Sequence, residues 1–181
     1  MAKLLNFKVN ESSYEELKRQ SLIDAYANFL KGYGWNYFIT LNFRRNIKEE
    51  RAQEIAEKFV KKLNIEVFGK RSKKAVKLAV SIEKNMVSGY HLHVLAVDPS
   101  PRIGNKDKQY DFDFCDVVRK CWQDADASTA LINLSSPDRH SWFQVIENEN
   151  NVIRYVLKEM KQGRYECLQA NLVNLEGRRW R

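Results

Sequence analysis

Three stretches of the chain alternate apolar and polar residues, and four others carry apolar residues at helical spacing. In "WNYFITLNF" (35–43), Tyr37, Ile39, Leu41 and Phe43 share one face and Phe38, Thr40 and Asn42 the other. "KAVKLAVSIEK" (74–84) puts Val76, Leu78, Val80 and Ile82 opposite Ala79, Ser81 and Glu83. "NMVSG" (85–89) has the length and the glycine of a hairpin loop, and the next alternating run stops at Asp98-Pro99. Helices are expected over 11–32, 46–69, 111–125 and 148–162. Ser12 or Ser13 is placed to cap the first, and Gly32 and Gly34 to end it. In the second, Ile47, Ile55, Phe59 and Leu63 fall near helical spacing. "TALINL" (129–134) and "SWFQVIE" (141–147) read as short strands, and residues 99–110, with two prolines and a glycine, as a loop. The order is helix, strand, helix, strand, strand, helix, strand, strand, helix. Its β-α-β-β-α-β centre predicts an α+β, ferredoxin-like core, an antiparallel sheet with helices packed on it.

Composition changes this picture little. The 181 residues suffice for one domain with a real core, and no second domain or repeat is visible. Residues 1–181 therefore read as one unit, with an N-terminal helix and a short basic tail, "GRRWR" (177–181). The charge matters more: 31 Lys and Arg against 23 Asp and Glu give +8, a balance that suits polyanionic partners such as nucleic acid. Cys115, Cys121 and Cys167 show no C-x-x-C spacing, which argues against a disulfide framework or zinc ribbon and for a reducing compartment. The opening "MAKLLNFKVNESS" holds no apolar run long enough for a signal peptide or membrane span. A cytoplasmic protein is expected.

The candidate chemistry lies in "EKNMVSGYHLHVLAVDP" (83–99). Two of the three histidines stand on alternate positions of an apolar strand, so His91 and His93 point one way and Leu92, Val94 and Ala96 the other. If this strand and 74–84 form a hairpin with their apolar faces aligned, the opposite face gathers Glu83, His91 and His93. Two imidazoles and a carboxylate on one patch make a divalent-metal site with open positions. The third histidine, His140, sits in the turn-like "SSPDRHSW" and is assigned no chemistry. On the last helix Val152, Ile153, Val156, Leu157 and Met160 form one stripe. Tyr155 lies off it, with Lys158 one turn on and Asn151 one turn back.

Taken together, "YFITLNF", "HLHVLAV" and "YVLK", in that order, resemble the three motifs of the rolling-circle replication initiators of the HUH endonuclease superfamily. The first motif is matched by Phe38, Thr40, Leu41 and Phe43, the second by His91 and His93, and the third by Tyr155 and Lys158. The resemblance spans about residues 35–162. It implies a single-tyrosine DNA nickase in which His91, His93 and Glu83 hold Mg2+ or Mn2+. Tyr155 attacks a phosphodiester of single-stranded DNA or an origin hairpin, giving a 5′-phosphotyrosine link and a free 3′-hydroxyl. Lys158 either favours the phenolate or positions the nicked strand. Polar residues beside the motifs, Thr40, Asn42, Arg44, Arg45, Asn151 and Arg154, are the candidate DNA contacts.

Further phosphate contacts are sought in "KKLNIEVFGKRSKK" and the tail. Trp35, Trp142 and Trp180 are candidate base stackers, with core packing the expected role of the first two. Tyr90 and Tyr165 are lesser candidate nucleophiles. The chain lacks G-x-x-x-x-G-K-[ST], so strand separation is expected from a host helicase or supercoiling and extension from a host polymerase. Three other readings remain open at this point. One is a transposase or relaxase of the same chemistry, although Leu95 stands where a relaxase usually has a third histidine. Another is a non-catalytic nucleic-acid-binding module using Phe38 as a stacking platform. The last is a histidine-based nucleotide hydrolase.

Overall fold

The alternating stretches become strands of one antiparallel sheet in the computed structural model, which describes residues 11–85, 89–105, 109, 111–130 and 142–179. The elements are α1 (Glu11–Leu30), β1 (Tyr37–Asn42), α2 (Glu49–Phe68), β2 (Leu78–Asn85), β3 (Gly89–Ala96), α3 (Phe114–Gln123), β4 (Phe143–Val145) and α4 (Glu149–Val156). Strand order is β2-β3-β1-β4, each neighbour antiparallel. β3 thus sits between β1 and β2, the split β-α-β arrangement of a ferredoxin-like core.

Alternation sets which face each strand buries. Ile39 and Leu41, Leu78, Val80 and Ile82, and Leu92, Val94 and Ala96 all point to one side. There α2 brings Ala52, Ile55, Ala56, Phe59, Leu63 and Val67, and α3 brings Phe114, Cys115, Val118, Cys121 and Trp122. Trp122 is fully buried, its ring 5.1 Å from that of Phe43 and 5.7 Å from that of Phe59. Its indole N–H donates to the Asn42 carbonyl at 3.2 Å, which satisfies the polar end of a large apolar group.

The second face is roofed over only part of its area. Ala79 and Leu95 pack with Ile23, Leu30 and Trp35 from the α1 region and with Ile153, Val156, Leu157 and Met160 from the α4 region. The C-terminal segment then lies along the free edge of β2. Asn174 and Leu78 exchange both backbone hydrogen bonds, and the Gln169 N–H donates to the Val80 carbonyl. This covers an edge that would otherwise template pairing with another chain. Gly89 opens β3 at φ +75, and a Cβ there would collide with the Asn46 side chain, so glycine is required on both counts.

Several expectations are corrected. Ser12 and Ser13 lie inside α1 rather than at its cap. β2 starts at Leu78, because the Ala75 N–H donates to the Gly177 carbonyl and the Val76 N–H to the Asn64 side chain, outside the sheet ladder. Ile47 precedes α2 and packs beside the core. The last α-helix ends at Val156, not near 162. There the Ser81 hydroxyl donates to the Val156 carbonyl at 3.1 Å, and the Met160 N–H turns to Leu157 instead. Residues Lys158–Gln162 continue as a tighter 3-10 turn. Of "TALINL", Thr129 forms a single bridge to Phe43, and residues 131–134 lie outside the described residues. The loop residues 86–88, His140 and Trp180 lie outside them as well.

Replacing Trp122 with alanine is expected to lower unfolding free energy by about 3–5 kcal/mol, because the cavity between α2, α3 and the sheet cannot close. Urea denaturation followed by far-UV circular dichroism measures this. A loss below about 1 kcal/mol would mean that this packing is not what holds α3 to the sheet.

Candidate metal centre

Register builds the site. Pairing of β2 with β3 sets Glu83 opposite His91 and Ser81 opposite His93, while β1 sets Thr40 opposite His93 and Asn42 opposite His91. Because β2, β3 and β1 are adjacent, the polar faces of all three strands converge beside α4. Glu83, His91 and His93 are all buried there.

Their ligating atoms meet at one point. His93 Nε2 lies 2.6 Å from Glu83 Oε2, and His91 Nε2 lies 3.2 Å from both His93 Nε2 and Glu83 Oε2. Ligands bound at about 2.1 Å to one ion stand about 3.0–3.4 Å apart, so the two 3.2 Å separations already suit one ion and the His93–Glu83 pair has to open by about 0.4–0.8 Å. The group could bind a metal ion, and it is the one such group among the described residues. Thr40 Oγ1 sits 3.2 Å from His93 Nδ1. When Nδ1–H donates to that hydroxyl, Nε2 is left free to ligate, the outer-shell arrangement metal-binding histidines commonly have.

Electrostatics prepares the donors. Burial pushes the Glu83 carboxyl up, but hydrogen bonds from His93 and Lys158 and the charges of both histidines outweigh it and hold it at about 2. Burial, then the neighbouring His93, pushes His91 below its ordinary value, so its imidazole is neutral near pH 7, as a ligand must be. Lys158 Nζ lies 2.8 Å from Glu83 Oε1. Burial alone would lower its pKa, but its contacts with Glu83 and Tyr155 raise it, and it stays an ammonium ion.

Tyr155 stands at the open side of this centre. Its side chain is 45% exposed. Its ring meets His93 edge-on at 5.2 Å and Phe38 at 5.6 Å, and Phe38 in turn stacks on His93 at 5.0 Å. Lys158 Nζ lies 3.9 Å from the Tyr155 ring centroid. An exposed phenol, an ammonium and a three-donor pocket are therefore contiguous.

Of the residues singled out by sequence, five converge: Glu83, His91, His93, Tyr155 and Lys158. Thr40 is beside them, half-buried, with its hydroxyl against His93. Asn42 is exposed on the histidine face. Arg45 is exposed beyond β1, while Arg44 donates from Nε to the Thr129 carbonyl at 2.7 Å and so ties the end of β1 to the segment after α3. Asn151 and Arg154 line a different cavity, of about 590 Å³, against Asp24, Asn28 and Lys31 of the α1 region. Arg179 of the basic tail is committed elsewhere, donating to the Asn64, Gly69 and Lys70 carbonyls at the end of α2. Tyr90 donates to Glu49 at 2.9 Å, and Tyr165 sits beside Arg19. Trp35 and Trp142 are buried, as expected.

Two contacts at the centre carried no sequence signal. The Lys158–Glu83 ion pair depends on how α4 is laid over the sheet, which no local pattern encodes. Ser81, which sets that placement by capturing the Val156 carbonyl, reads in sequence as one more polar position on a strand. No protein-family model matches the chain, nor is any curated protein or solved structure significantly similar to it.

The depressed Glu83 pKa gives a stability signature in the ion-free protein. A carboxyl near 4.5 when unfolded and about 2 when folded stabilises above 4.5, and that stability is lost as pH falls towards 2. His91, lowered from 6.5, works in the same direction at higher pH. Unfolding free energy measured from pH 5 to 2 is expected to fall more steeply for wild type than for Glu83→Gln. Parallel curves would contradict the strong hydrogen bonding of this carboxylate.

Proposed function

We propose that this chain is a metal-dependent endonuclease that nicks and rejoins single-stranded DNA through a covalent phosphotyrosine, as an initiator of rolling-circle replication of a plasmid or phage. One observation carries the reading: a half-exposed tyrosine abuts a buried His-His-Glu pocket, with an ammonium ion in contact with both. A surface tyrosine has no structural need of such neighbours, whereas a nucleophile does. The three motifs and the +8 net charge point the same way.

Tyr155 is the nucleophile. Its phenolic oxygen attacks phosphorus, the bond from phosphorus to the 3′-oxygen breaks, and a phosphotyrosine ester to the 5′ side forms. The phenolic proton passes to solvent, and the 3′-oxygen takes up a proton to leave as a hydroxyl. A free phenol near pKa 10 is mostly protonated at pH 7, so a positive charge close by helps it act as a nucleophile, and Lys158 Nζ stands 3.9 Å from the Tyr155 ring centroid. His91, His93 and Glu83 hold the divalent ion, which when bound supplies Lewis-acid polarisation of the phosphodiester. Two imidazoles tilt the donor set from Mg2+ towards Mn2+, since Mg2+ takes oxygen ligands almost exclusively. Thr40 and Phe38 fix the His93 ring. Because the ester keeps the energy of the phosphodiester, the released 3′-hydroxyl can attack it to rejoin the strand or can be extended by a host polymerase. A host helicase would supply the single strand. DNA follows the exposed side of the centre, past Asn42 and Arg45.

The test incubates the purified protein with Mn2+ and a labelled single-stranded library, then separates products on a denaturing gel. A covalent adduct is expected from wild type and not from Tyr155→Phe, which should still bind DNA. His91→Ala should slow adduct formation by at least about 100-fold, and so should a chelator. DNA binding with no adduct from any variant would leave a binding module in place of a nickase.

A further inference from the structure

We propose that Lys158 and the divalent ion compete for Glu83, so that ion binding displaces Lys158 from that carboxylate and leaves it with Tyr155. The inference rests on the metal-site reading above and adds to it a coupling between ion occupancy and the nucleophile.

The geometry divides the Glu83 carboxylate between two partners. Oε2 faces the histidines, 2.6 Å from His93 Nε2 and 3.2 Å from His91 Nε2, while Oε1 receives Lys158 at 2.8 Å. Glu83 is buried, and a buried carboxylate without a counter-charge is strongly disfavoured. Among the described residues, Lys158 is the lysine or arginine within ion-pair distance of Glu83. A divalent cation on Oε2 would neutralise the same carboxylate, and two cations on one buried anion repel each other. Losing Glu83, the ammonium has a second partner at hand, the Tyr155 ring whose centroid is 3.9 Å from Nζ. Ion binding thereby leaves Tyr155 as the partner that Lys158 keeps, so occupancy of the centre and the contacts of the nucleophile are coupled.

Two opposing effects set the sign of the test. Loss of an outer-shell hydrogen bond to a ligand typically weakens metal binding by about 10–100-fold. Loss of a competing positive charge on the same buried carboxylate strengthens it, and competition means that this repulsion is the larger effect.

Free Mn2+ is followed by electron paramagnetic resonance during titration of folded wild type, Lys158→Met, Lys158→Gln, Lys158→Arg and His91→Ala. Lys158→Met is expected to bind Mn2+ at least about 10-fold more tightly than wild type, and Lys158→Arg to stay close to wild type. Lys158→Gln keeps a hydrogen-bond donor without the charge and should also tighten, which separates charge from hydrogen bonding and serves if the methionine variant fails to fold. Unchanged or weaker binding in both neutral variants, with wild type binding and His91→Ala not, overturns the competition and leaves the metal site standing. Absence of Mn2+ binding by wild type overturns both.

Discussion

Everything at the centre depends on the register of the β2–β3 hairpin. Side chains on a strand alternate with period two, so a slip of one residue would turn His91 and His93 into the α2–α3 core and carry Leu92 and Val94 to the polar face. The cost of that exchange pins the register: Leu92, Val94 and Ala96 are fully buried against α2 and α3, and Ile82, Val80 and Leu78 beside them likewise. The apolar face thus fixes where the polar face falls. Glu83 lands opposite His91 not through its own attraction to the histidines but because burying the other side leaves no choice.

The helix that carries Tyr155 is placed by a different device. Val156, Leu157 and Met160 pack onto the second face of the sheet, but the α-helix is cut short where Ser81 takes the Val156 carbonyl. The backbone tightens into a 3-10 turn, and Gly163 closes it in the left-handed region. That turn is then anchored at a distance from the centre. Arg164 pairs with the buried Glu159 at 2.9 Å and with Glu49 at 3.2 Å, and Glu49 accepts from Tyr90, the residue before His91. The start of β3, the start of α2 and the end of the Tyr155 segment are therefore tied into one network. Lys158 reaches Glu83 from a segment held at both ends, which makes its position a property of the fold rather than of a free side chain.

Much of this was legible in the sequence, for reasons that particular residues make plain. The alternation in 35–43, 74–84 and 90–97 carried the sheet, its two faces and the Glu83-His91-His93 cluster, because a period of two leaves few alternatives once one side is apolar. The cluster needed only hairpin pairing, which a short loop supplies. What was not legible depends on contacts between elements far apart in the chain. Ending α4 at Val156 rather than near 162 needs Ser81, and the sequence from 148 to 162 is helical in pattern throughout. Arg179 and Arg154 carry the same charge and look equally available for phosphate. One is committed to carbonyls at the end of α2 and the other lines the cavity against α1. That the Thr40 hydroxyl lies against His93 follows from the pairing of β1 with β3.

The central claim is that strand register alone assembles a metal site from Glu83, His91 and His93. Crystals grown with Mn2+ and measured at the manganese absorption edge test it most directly. The account predicts one strong anomalous peak within bonding distance of Nε2 of both histidines and of Glu83 Oε2, beside Tyr155. A peak elsewhere, or none at this centre with Mn2+ in excess, would contradict it.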